Sequence, residues 1–119
     1  MGADAVGQLD IEMLPARHGD AILLGWGVPG DRHHMLVDGG PAPAYPDVAG
    51  RLSELGEAGL DLLVLTHIDA DHIEGTILLV NDADLKLRIG EVWCSDCWLR
   101  SLIPAGDVQV VVLASGGSA

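Results

Sequence analysis

The chain has 119 residues, room for one domain with a modest core, and a formal net charge of −12 from 18 acidic and 6 basic side chains. That balance opposes the broad positive surface required for phosphate-backbone binding, so stable association with nucleic acid is not expected. Apolar residues make up 49% with no Phe, yet no apolar run approaches the roughly 20 residues that cross a bilayer, and "MGADAVGQLDIEML" is no basic-then-apolar leader, so the expectation is a cytoplasmic chain without membrane contact.

In chain order, "LDIEML" alternates apolar and polar residues, "DAILLGW" has the composition of a buried strand, and "HHMLVDGG" is a strand ending in glycines. The Pro and Gly of "GVPGDRH" suit a hairpin loop between the last two, predicting an antiparallel start. The prolines of "GGPAPAYP" interrupt regular structure. Asp47 can then cap a helix to about Ala58 with Val48, Leu52 and Leu55 on one face, and Gly56 and Gly59 offer stops. The run "LDLLVLT" at 60–66 suits a strand covered on both faces. Beyond a charged loop, "TILLVNDADL" reads as a short helix, and "IGEVWCS" and "VQVVVLAS" as strands. The order predicts an α/β arrangement, a sheet with helices packed on it.

The charged loop carries the chemistry. "THIDADHIEG" at 66–75 follows the apolar run directly, and the carboxyl end of a buried strand is where layered α/β proteins place ligands. In extended backbone His67, Asp69 and Asp71 share a face, with His72 adjoining. Imidazoles with carboxylates suit zinc, and the carboxylates leave manganese and iron open. Asp69, Asp71 and Glu74 lie within six positions, and no Lys or Arg occurs between Arg51 and Lys86. Carboxylates crowded without a counter-charge raise one another's pKa and oppose folding, which a divalent cation relieves.

These residues resemble the HxHxDH signature of the metallo-β-lactamase fold, in an HxDxDH variant similar to the hydrolase-like domains of competence proteins related to the DNA-uptake channel. "HGDAILLGW" and "HHMLVDGGP" resemble that family's "GDA" strand and its strand ending in "DGG". The resemblance covers about residues 9 to 80. It implies an αββα sandwich and metal-assisted hydrolysis. His67 and Asp69 would bind a first metal, Asp71 and His72 a second, and Asp71 would also orient the hydroxide between them, making it the catalytic residue. The cofactor implied is zinc, with manganese or iron as alternatives, as one or two ions. The substrate implied is a small molecule or a phosphodiester, or another ester or amide, attacked by metal-bound hydroxide. Asp38 would be the structural Asp beneath the site, orienting ligands through hydrogen bonds, or else simply the Asp of a "DGG" turn.

The chain departs from the family pattern in two places. No histidine follows His72, although the family takes further ligands downstream and its complete domains are longer. The expectation is therefore a single unit over 1–119 that holds the first, N-terminal half of the sandwich, with an apolar face exposed. It would be completed by a missing C-terminal half or by a homo-oligomer, or it would be a catalytically inactive metal-binding remnant or interaction module. Glu74 replaces the first glycine of the family's "DHxGG", as an outer ligand or a narrowing of access. Cys94 and Cys97 form a CxxC that suits a half zinc site, a redox pair or replacement ligands, or plain core packing. His18 falls in the "RHGD" turn, and His33 and His34 are expected at surface or edge positions.

Overall fold

The computed structural model describes residues 6–15, 20–66, 70–82, 84–85, 87–94 and 109–112; at 70–73, 109, 110 and 112 only the backbone is described. Among the described residues six strands form one mixed sheet in sequential order: β1 (Gln8–Met13), β2 (Ile22–Val28), β3 (Asp31–Val37), β4 (Leu60–Leu65), β5 (Ile89–Cys94) and β6 (Gln109–Val112). The first three pair antiparallel, with β2 and β3 joined by a turn of only Pro29 and Gly30, shorter than the expected loop. From β3 onward every pairing is parallel. Parallel neighbours need a crossover, and the helices α1 (Tyr45–Ser53) and α2 (Ala70–Val80) supply the two that are described.

Register separates the two faces of the sheet. Leu23 pairs Leu36, Leu36 pairs Leu63, and Leu63 pairs Val92, so one side-chain row crosses four strands. All four are buried and share a core with Val48 and Leu52 of α1 and Leu79 of α2. The opposite row runs Met13, Ile22, Val37, Val64, Trp93, Val111. It is almost as apolar but open: Met13 is 68% exposed, and on the same face Leu9, Ile11 and Trp26 are exposed too. β4 is therefore buried on one face and half-buried on the other, not covered on both as its composition suggests. The apolar face expected of half a sandwich is present.

Both helices begin earlier than the sequence pattern indicates. Asp47 is not the cap of α1; Ala44 is, and Pro46 sits in the first turn, where its missing N–H has no intrahelical acceptor to lose. The helix ends at Ser53 rather than near Ala58 because Gly56 turns to φ 62°, and a short 3₁₀ turn, Gly56–Ala58, leads into β4. α2 starts at Ala70, six residues before Thr76. Asp71 thus lies in a helical first turn, not in the extended segment expected of it, with His72 beside it in the same turn, and an acidic first turn agrees with the helix dipole. No helix among the described residues is long and apolar enough to cross a membrane.

Candidate metal centre

The parallel strands β3 and β4 end side by side, and Asp38 joins them. Its N–H donates to the Val64 carbonyl at 2.8 Å, one step past the last paired residue of β3. Its carboxylate accepts from the Thr66 N–H at 2.8 Å and from the Thr66 hydroxyl at 2.5 Å. Thr66 is the residue before His67, so the buried carboxylate fixes the backbone where the charged loop departs. Asp38 holds φ 61°, a left-handed conformation that Asp tolerates better than most residues and that turns the chain sharply into Gly39 and Gly40.

That turn meets the start of α2. The Gly75 N–H donates to the Gly40 carbonyl at 2.7 Å, and Gly39, Gly40, Gly75 and Thr76 are all buried. Glu74 is exposed, and its Oε1 lies 3.4 Å from the Ala42 N–H, so the carboxylate expected as an outer ligand or a narrowing of access reaches back to the turn. Further along, the Tyr45 hydroxyl donates to Asp82 at 2.6 Å, tying α1 to the residues just beyond α2. Burial and this donation push the Tyr45 phenol well above its usual range, while accepting it holds Asp82 low.

Of the four expected ligands, His67 and Asp69 lie outside the described residues, and Asp71 and His72 are described by backbone alone. The backbone brings the Thr66 end of β4 and the Ala70 start of α2 within three intervening residues of each other. The chemistry of the set, two imidazoles and two carboxylates, fits a divalent ion. Among the described residues no group of three or more His, Cys, Asp or Glu is placed to hold a metal. Cys94 is fully buried in the core row beside Leu65, its thiol 3.8 Å from the Val111 carbonyl, which is the core-packing reading; Cys97 lies outside the described residues.

Of the remaining histidines, His18 lies outside the described residues, while His33 and His34 are half-buried in β3, which strands flank on both sides, so neither is at an edge, although the His33 side chain keeps 39% of its surface exposed. The His33 ring stacks on Trp26 and lies between carboxylates, 3.2 Å from Asp31 and 3.4 Å from Asp61. The Asp61 carboxylate also accepts the His34 N–H at 2.9 Å. Burial pushes Asp61 upward, but these hydrogen bonds with the charges of His33 and Arg88 outweigh it and hold the group low. His34 is held below its usual value by burial first, then by Arg32 and Arg51. Both rings stand on β3, the strand just before Asp38, and neither belongs to the charged loop. The sequence pattern missed the roles of Thr66, Gly39 and Gly75; the glycines of "DGG" and "EG" were visible, but only as turn residues.

The family model of the Metallo-beta-lactamase superfamily matches residues 14–109. No curated protein matches the chain. The fold is similar to the crystal structure of a candidate metallo-beta-lactamase from Thermotoga maritima, with a TM-score of 0.50 at 16% sequence identity. That likeness covers 95% of this chain and 61% of the Thermotoga chain, so the present chain spans less than two thirds of its neighbour. The strand ending in "DGG", the buried Asp38 holding the next strand, and a profile match over most of the length lead to one assignment: the chain belongs to the metallo-beta-lactamase superfamily.

Proposed function

We propose that the chain is a metal-dependent hydrolase in which His67, Asp69, Asp71 and His72 hold one or two divalent ions, zinc first and manganese or iron next, and act on a phosphodiester or another ester or amide. The observation that carries this reading is the buried Asp38 carboxylate gripping Thr66, because it spends a desolvated charge on fixing the backbone one residue before His67. A divalent ion bound there supplies Lewis acidity, bringing water activation to neutral pH and stabilising charge on the substrate oxygen. The chain's own contribution is orientation: Asp38 holds the loop's entry, and Asp71 is the carboxylate that accepts a proton and aims the attacking water. The HxDxDH spelling, similar to the hydrolase-like domains of competence proteins, favours a phosphodiester as the first substrate to test.

A second reading rests on the absence of any histidine after His72 in these 119 residues: the same ligands hold metal without turnover. Zinc- or manganese-loaded protein incubated with bis(p-nitrophenyl) phosphate and a chromogenic lactam separates the two. Hydrolysis above the free-metal blank that falls at least about 100-fold in Asp71→Ala, a loss of the order attributed to a positioned acid–base group, supports the hydrolase. Stoichiometric metal with no turnover on either substrate supports the second reading.

A further inference from the structure

We propose, resting on the metal reading above, that Gly75 is a positioning residue for the metal ligands: its missing side chain lets α2 close onto the Gly39–Gly40 turn, setting where the backbone of Asp71 and His72 stands relative to Thr66, beyond the end of β4. A Cβ at Gly75 would lie 1.9 Å from the Gly39 carbonyl oxygen, 2.6 Å from the Gly39 carbonyl carbon and 2.8 Å from the Gly40 oxygen. From the other side, a Cβ at Gly39 would lie 2.5 Å from the Thr76 nitrogen, 2.6 Å from its hydroxyl and 2.9 Å from the Gly75 carbonyl carbon. Nearly all of these obstacles are backbone atoms, which no rotamer change can move aside. The two segments touch main chain to main chain, and the 2.7 Å hydrogen bond from Gly75 to Gly40 closes the seam.

What the seam joins gives it a function beyond packing. On one side is the turn that follows Asp38, whose carboxylate holds Thr66 and hence the approach to His67. On the other is the helix whose first turn contains Asp71 and His72, four and three residues before Gly75. Any side chain at position 75 pushes that helix off the turn and moves both Cα atoms away from the end of β4. Glycine inside a helix is less stable than alanine there, so its presence in α2 is explained by the close approach. Gly50 in α1, by contrast, would have nothing within 4 Å of an added Cβ.

Cobalt(II) is the probe, because its absorption bands report coordination geometry independently of any activity. At saturating cobalt, Gly75→Ala is expected to show altered band intensity and at least about tenfold weaker binding, the scale of losing a residue that orients ligands. Gly50→Ala should match the parent in both. If Gly75→Ala folds by circular dichroism and binds cobalt with the parent's affinity and spectrum, even at a lower melting temperature, the role is purely structural and the proposal is overturned. If Gly75→Ala does not fold, Gly39→Ala, which loads the same seam from the turn side against the Thr76 nitrogen, decides: altered cobalt bands or weakened binding support the seam, and the parent's affinity and spectrum overturn it. If the parent chain takes up no cobalt, zinc or manganese, the metal reading itself has failed and this proposal falls with it.

Discussion

At Asp38 one side chain meets two demands, a left-handed φ of 61° and a pair of acceptors for Thr66. Replacing it by Ala leaves the Thr66 N–H without its carboxylate and puts a residue with no local hydrogen bond into a conformation costing roughly 1–2 kcal/mol. Asp38→Ala should lose about 2–4 kcal/mol in chemical denaturation, and Asp38→Asn, which tolerates the turn and keeps one acceptor, about 1 kcal/mol. Equal losses would show that the carboxylate does not clamp Thr66. A second residue-scale expectation concerns pH. His34 is held below its usual 6.5, so the unfolded chain takes up protons at higher pH than the folded one. Its contribution to stability is complete above about pH 6.5 and declines as pH falls through the window between the unfolded and the depressed folded value. The drop in melting temperature from pH 7.5 to 5.5 should therefore be smaller in His34→Gln than in the parent chain. A larger drop in the variant contradicts the assignment. The sequence made Asp38 and the charged loop visible because carboxylates and histidines declare their chemistry by type. Thr66, Gly39 and Gly75 were not legible in these roles, because a hydroxyl partner and a close main-chain approach exist only once distant segments meet.

Among the elements, the sheet has two apolar faces of different worth. Leu63 is fully buried under the helices, whereas Ile11 on the open face is 64% exposed. Leu63→Ala should cost about 2–5 kcal/mol, and Ile11→Ala less than about 1 kcal/mol, because little apolar area leaves water at the second site. Comparable losses from urea melts would mean that Ile11 is covered in solution. The six strands were readable from alternation and apolar runs, and the mixed pairing follows from where crossovers are needed. Helix starts were less so. The expectation for α2 placed its beginning at Thr76 because "DADHIE" is too polar for an amphipathic stripe, yet a helix's first turn accepts acidic residues readily. The same segment, read as extended, gave a ligand alternation that does not reach Asp71.

On the scale of the whole molecule, charge and topology converge on one end of the sheet. The net charge of −12 includes three carboxylates within 69–74, a stretch without any basic side chain between Arg51 and Lys86. Two crossover helices pack on the same side as the core row, leaving the opposite apolar face open, and the Asp38 turn and α2 meet where β3 and β4 end. The family, half of its architecture and an exposed apolar face could be expected from three motifs in order and the chain's length, whereas which residues form that face became visible only with the register. The most direct measurement of the central claim is a thermal melt of chelator-dialysed protein titrated with zinc, run beside a His67→Ala/Asp69→Ala double variant. The account predicts saturable uptake and a rise in melting temperature corresponding to about 2.7 kcal/mol at a hundredfold excess over the dissociation constant, absent from the double variant. No uptake by the parent chain, or an equal rise in the variant, would contradict it.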